Sequence, residues 1–307
     1  MQDLPSSVWV SAQGILKIPP PVCAAYTAVI QQSGLFEVAT GSRPDPAPVG
    51  GISQELTDLH FAHAFDGSVA RAQLALIDPH NEVPITSATL LRFLSGGTLC
   101  IADLPCGAGA ASIAFMGSIA QLRREEYLPR VPLQVHIVGG EISAPARAYA
   151  DQLITSIMPD LEEQAIFVTF ELRDWNVLSP VSNSELIERI ILSKATSLQT
   201  LVVVCNFNGF LERAGKKDEA RPQLAELFRF CSGGTNAAVW IEPKMNAATG
   251  GLFPWLKKMF PRWSAFLKFL GSQDDDETSE SKYELPLKAP STAVARLAVL
   301  PIDLVKE

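Results

Sequence analysis

The sequence predicts an α/β protein in which a doubly wound, mostly parallel sheet follows a helical extension. Three observations carry that prediction. From residue 98 onward, short apolar runs alternate with helical stretches in the order strand, helix, strand. One of those runs, LVVVC at 201–205, is apolar without a break, which suits a strand covered on both faces. Acids and glycines recur where the runs stop, and in such sheets ligands bind beyond the carboxyl ends of the strands.

Taken in order, the elements divide the chain in two. The first fifty residues hold Pro19, Pro20, Pro21, Pro44, Pro46 and Pro48, and a short amphipathic helix is expected between these breaks at 22–36. Residues 52–77 predict one or two helices, with Leu56, Leu59, His63, Val69, Gln73 and Leu76 at turn spacing and Phe61 and Phe65 beside them. A further helix at 84–93 stops before Gly96-Gly97. Residues 1–95 thus read as a helical extension, packed on the main domain or closed over its crevice as a lid; they are also the expected contact for a partner protein or a second copy. Residues 96–307 form the main domain. Its strands are expected at 98–103, 134–138, 166–172, 201–205 and 237–241, and its helices at 110–124, 143–157, 183–193 and 221–230. Residues 251–270 mix aromatic side chains with Lys257, Lys258, Arg262 and Lys268, and 273–282 is an acidic run expected to be solvated and mobile. Residues 251–285 therefore read as an insertion, after which 293–304 resumes strand character and closes the sheet's edge.

Composition narrows the function classes. With 47% hydrophobic and 19% charged residues the chain is globular, and a net charge of −8 disfavours bulk nucleic acid as a partner. The five cysteines include no C-x-x-C pair, so a reducing compartment fits better than a disulfide framework, and the four histidines offer no metal spacing with them. No apolar run reaches the ~18–20 residues of a membrane span, and no basic flank precedes a long apolar segment at the start. A soluble, cytoplasmic protein without a metal is expected.

The chemistry lies at the strand ends. After the first strand, TLCIADLPCGAGAAS (98–112) passes through Asp103, Pro105, Gly107 and Gly109 into a helix, so that a ligand can lie on bare backbone at a helix N-terminus. After the second strand comes Glu141, a carboxylate able to accept from two ribose hydroxyls. After the third come Asp174, an acceptor for an exocyclic amine, and Trp175, an aromatic surface for a purine; after the fourth comes Cys205-Asn206-Phe207-Asn208-Gly209.

With these residues in place, the chain resembles the class I S-adenosylmethionine-dependent methyltransferases. The likeness rests on IADLPCGAG (101–109), VGGEIS (138–143), RDWNV (173–177), LVVVCNFNGF (201–210) and SGGTNAAVWIEPK (232–244), and it covers about residues 98–245. It implies a Rossmann-like, seven-stranded sheet with an antiparallel edge strand supplied by 293–304. It also implies methyl transfer with S-adenosyl-L-methionine as cofactor; the helical extension and the aromatic insertion at 251–270 point to a covered pocket for a small-molecule acceptor or a docking surface for a protein acceptor. By the same resemblance Asp103 contacts the amino group of the methionine moiety, with Pro105, Gly107 and Gly109 in the loop beneath it. Glu141 binds the ribose, Ile142 packs on the adenine, Asp174 meets the adenine amine beside Trp175, and Asn206 with Phe207 lies near the transferring methyl, where they are the candidate catalytic residues.

Two departures keep alternatives open. Glu141 lies 32 residues after Gly109 (141 − 109), which makes 125–133 an added loop. The fourth motif is CNFNG and not Asn-Pro-Pro-aromatic, which argues against amino methylation of nucleic acid or glutamine. No His or Tyr stands in an evident base position, although Glu242, His60 or His63 can reach over the crevice. A methyltransferase-like binding or assembly module without activity is one alternative. An NAD(P)-dependent oxidoreductase is another, since Gly107-Ala108-Gly109-Ala110-Ala111-Ser112 half matches G-x-G-x-x-G/A. Asp103 weighs against it, because an acid there repels a pyrophosphate and welcomes an amino group.

Overall fold

The computed structural model describes residues 4–45, 49–244, 255 and 277–304. A short hairpin, β1 (Trp9–Val10) and β2 (Ile15–Leu16), leads into α1 (Pro20–Gln32), α2 (Phe36–Thr40), α3 (Gln54–Ile77) and α4 (Pro84–Leu94). The alternating region follows: β3 (Gly97–Asp103), α5 (Ala110–Arg124), β4 (Leu133–Glu141), α6 (Ala144–Glu162), β5 (Ile166–Asp174), α7 (Pro180–Lys194), β6 (Gln199–Cys205), α8 (Asn208–Arg213), α9 (Lys217–Cys231) and β7 (Ala237–Pro243). Two more strands, β8 (Glu277–Glu284) and β9 (Thr292–Asp303), end the described chain.

These strands form one sheet in the order β1-β2-β8-β9-β7-β6-β3-β4-β5. The five alternating strands are parallel to one another, with β3 between β4 and β6. Their side chains obey the period of two: Leu99, Ile101, Leu201 and Val203 enter one core, and Cys100, Ala102, Val202 and Val204 enter the other. The first core is closed by α1, α3, α4, α5 and α6, the second by α7, α8 and α9. Helices therefore cover both faces, as a parallel sheet requires.

Three expectations are corrected. The sheet has nine strands and not seven, because the hairpin pairs through β2 with β8. The antiparallel strand is not at an edge: β9 lies between β7 and β8 and is antiparallel to both. Of the run expected to be solvated and mobile, residues 277–282 belong to β8, where Ser279, Ser281 and Tyr283 point inward and Glu280 and Lys282 outward. The aromatic-basic stretch 251–270 lies outside the described residues apart from Trp255, which is buried against Trp240. No helix among the described residues is long and apolar enough to cross a membrane, and no cluster of His, Cys, Asp or Glu among them is grouped to hold a metal.

The strand β4 also runs farther than expected, through Gly139-Gly140 to Glu141. Close packing explains the two glycines. A Cβ on Gly139 would meet Leu172 Cδ2 at 2.6 Å and Cys106 Sγ at 3.0 Å, and one on Gly140 would meet Leu104 Cδ2 at 2.7 Å. The loop after β3 thus lies directly on the end of β4.

Of residues 52–77, Gln54–Ile77 form a single 24-residue helix, α3, buried over most of its surface. Leu56, expected on its buried face, is 48% exposed, whereas in the core Phe65 stacks on Tyr26 and Phe61 meets it edge-on. Polar ties fasten this helical layer to the far strands. Arg43 bridges Asp66 on α3 and Tyr283 on β8, Ser279 Oγ donates to Glu82 at 2.7 Å, and Glu277 caps α4 by accepting from the backbone N–H groups of Ile85 and Thr86, both at 3.1 Å. Replacing a capping acceptor by alanine costs about 1 kcal/mol. Glu277→Ala is accordingly expected to lower the denaturant midpoint by that amount with an unchanged slope; an unaltered midpoint would show that the cap contributes nothing.

Candidate functional site

The strand ends converge where three parallel strands stop. Asp103 closes β3 in register with Gly139 of β4 and Val203 of β6, and its carboxyl lies on the sheet face covered by α5. It is 1% exposed; Oδ2 accepts from Ser112 Oγ at 2.6 Å, and Oδ1 is buried with no partner among the described residues. Burial lifts its pKa to about 6, against the pull of Ser112, and the neighbouring Glu141 charge adds to the rise.

The loop that follows turns on two left-handed glycines. Gly107 has φ 51° and Gly109 φ 77°, conformations that other residues adopt only at a cost. A Cβ on Gly107 would meet nothing within 4 Å, so the loop surface there is open, whereas one on Gly109 would sit 3.4 Å from Ala150 of α6. Pro105 is half-buried in the same loop.

Glu141 ties this loop to β4. Its Oε2 accepts from the Gly107 N–H at 3.2 Å and its Oε1 from the Ser143 N–H at 2.8 Å. Two of the carboxylate's roughly four lone-pair sites remain available. Burial raises its pKa, and the N–H groups of Ser143 and Gly107 and the charge of Arg147 oppose the rise. Next to it Ile142 is 44% exposed. Asp174 is exposed at the end of β5 and pairs with Arg147 at 3.3 Å, while Arg147 also donates to the Glu141 carbonyl.

Trp175 stands differently from the expected open platform. It is 2% exposed, its indole N–H donates to Asn183 Oδ1 at 3.3 Å, and its ring lies in the second core beside Phe207. Of the two apolar residues read beside a purine, the structure leaves Ile142 open and commits the Trp175 ring to packing.

Beyond β6 the chain turns at Asn206, which holds φ 56°. Its Nδ2 donates to Ser68 Oγ of α3 at 3.2 Å, and its Oδ1 is buried with no protein partner. Phe207 packs among Trp175, Phe210 and Trp240 and is buried. Glu242, considered as a base reaching over the crevice, instead supports this turn from below. Its Oε1 accepts from the N–H groups of Phe207 and Asn208 at 2.8 and 2.6 Å and from the Trp240 indole at 2.8 Å. His60 and His63 both have lowered pKa values, mainly from burial.

The sequence alone did not single out Ser68 on α3 or the supporting role of Glu242. The available signal for Ser68 is a polar residue inside an otherwise apolar helical stretch.

No protein-family model and no curated protein matches the chain. Among solved structures, a precorrin-6y C5,15-methyltransferase from Geobacter metallireducens GS-15 aligns over 72% of this chain and 87% of that one, at 13% identity and a TM-score of 0.31.

The buried Asp103 yields a pH prediction. An acid whose folded pKa exceeds its unfolded value binds more protons when folded, so its contribution to stability falls as pH rises through about 4 to 6 and stays lost above. Relative to the parent protein, Asp103→Asn is expected to gain on the order of 2–3 kcal/mol of unfolding free energy between about pH 4 and pH 7. Denaturant titrations at both pH values measure it, and a difference independent of pH would contradict a desolvated Asp103.

Proposed function

We propose that the protein is an S-adenosylmethionine-dependent methyltransferase acting on a small-molecule or protein acceptor. The observation that carries this reading is the Asp103 carboxyl, sealed from water at the end of β3 with Oδ1 unpartnered beside a left-handed glycine turn. A buried acceptor without a donor is costly, and an ammonium group relieves it. A dinucleotide pyrophosphate placed there would meet Asp103 and Glu141 with like charge.

In this reading Asp103 orients the amino group of the methionine moiety over Gly107 and Gly109. Glu141 uses its two free lone-pair sites on the ribose hydroxyls, Ile142 covers the adenine, and Asp174 accepts from the adenine amine. Trp175 supports that wall from the core side. When bound, S-adenosylmethionine supplies a methyl on a sulfonium that is its own leaving group, so the protein's main task is alignment. Asn206 and Phe207 stand at the acceptor side. Glu242 fixes their turn, and Asn206 Oδ1 can take a hydrogen bond from an acceptor N–H or O–H. Residues 1–95 roof the crevice through α3, and the insertion at 251–285 contributes β8 at its end.

One observation favours a second reading, a methyltransferase-like binding module without chemistry: Glu242 is committed to three N–H groups and so is not a base at the crevice. Transfer of a labelled methyl to candidate acceptors separates the two.

Saturation with S-adenosylhomocysteine at ~100 times its dissociation constant is expected to add ~2.7 kcal/mol of stability, and NAD none. Asp103→Ala and Glu141→Ala should each abolish the shift. If both variants retained it, the nucleoside would bind elsewhere; if the parent protein showed none, the cofactor assignment would fail.

A further inference from the structure

The guanidinium of Arg71 has an unusual set of neighbours. Arg71 lies on α3, one turn after Ser68, and donates from Nη2 to Ser68 Oγ at 3.1 Å, while Nε is buried with no partner. No carboxylate oxygen of the described residues lies within 4.0 Å of it, in contrast to Arg43 with Asp66 and Arg147 with Asp174. Nor is it satisfied as Arg123 is, by the backbone carbonyls of Gln164, Ala165 and Ser95. Arginine stays charged in a protein, and here the carboxylates of Glu242 and Asp66 lie within electrostatic reach but not in ion-pair contact, which leaves the cation incompletely compensated.

The surroundings define what would complete it. Cys205, the last residue of β6, has Asp103, Glu242 and Arg71 within electrostatic reach of its thiol, which gathers all three around one strand end. Ser68 joins Arg71 to Asn206 across the same end. Among the described residues, the buried polar atoms without a hydrogen bond there include the acceptors Asp103 Oδ1 and Asn206 Oδ1, with Glu242 Oε2 beneath the turn, and the cationic donor Arg71 Nε. An anion alone would face two carboxyls, and a cation alone would face the guanidinium. A zwitterion satisfies both signs, with its ammonium toward Asp103 Oδ1 and its carboxylate toward Arg71.

We infer that Arg71 binds the carboxylate of an α-amino-acid tail whose ammonium faces Asp103, so that α3 closes the ligand site by supplying its counter-charge. This deepens the cofactor assignment above and rests on it. Arg71 then sets specificity for a nucleoside that carries the intact amino-acid tail.

Calorimetric binding of three probes tests this. The unmodified protein should bind S-adenosylhomocysteine about tenfold or more tightly than its decarboxylated analogue, which keeps the ammonium and lacks the carboxylate, because a charge-assisted hydrogen bond is lost. Arg71→Met should weaken S-adenosylhomocysteine by a similar factor, leave the decarboxylated analogue and 5′-methylthioadenosine unchanged within about twofold, and be partly rescued by Arg71→Lys. Equal affinities of the unmodified protein for the first two probes would overturn the inference without using any variant. So would equal weakening of all three probes in Arg71→Met, which marks a structural role. If S-adenosylhomocysteine binds and only the Arg71 dependence is missing, the cofactor assignment survives; if neither it nor 5′-methylthioadenosine binds, that assignment falls with it.

Discussion

A parallel sheet leaves no face for water, and most of this molecule's architecture follows from that. The strands β3, β6 and β7 are apolar on both faces, so each face needs a helical layer. The crossover helices α7 and α9 cover one side, together with α8. On the other, α5 and α6 leave the half of the sheet under β7, β9 and β8 open, and α3 with α4 fills it. The N-terminal helices are thus part of the main core. The apolar residues of α1, from Val22 to Ile30, are likewise used within the chain's own interior.

Placing α3 there has a chemical consequence. A helix buried on most sides must satisfy its polar side chains through specific partners. Asp66 finds Arg43, Gln73 donates to the Lys17 carbonyl at 2.8 Å, and Ser68 receives the Asn206 amide. Arg71 is left among acceptors that themselves lack donors. The same element that seals the sheet therefore brings a cation to the strand end where the sheet itself offers Asp103 and Glu242. The supporting contacts are backbone donors on carboxylates: Gly107 and Ser143 on Glu141, Phe207 and Asn208 on Glu242. Two loops of the crevice are held this way, each to a strand beside its own.

Local pattern made much of the alternating region legible. The strands β3, β6 and β7 and the helix α5 fall within two residues of their expected bounds, because unbroken apolar runs and glycine breaks are properties of neighbours along the chain. β8 escaped because ETSESKYE places serines inward, where they meet polar partners such as Glu82; alternation of small polar residues with charges carries no hydrophobic signal. The two-residue strands β1 and β2 are too short to have a period.

The site divides in the same way. Acids at strand ends, Asp103, Glu141 and Asp174, and the paired glycines could be read in order, since each is defined by where an apolar run stops. By itself the sequence determined the succession of elements, the acidic strand ends and the glycine turn between them. Tertiary structure alone decided that β9 lies between β7 and β8, that Trp175 turns inward while Ile142 stays open, that Glu242 supports a turn, and that Arg71 reaches the strand ends. These depend on contacts between residues dozens to hundreds of positions apart, and a pattern with a period of two or 3.6 residues says which face a side chain shares with its neighbours, not which distant element comes to cover that face.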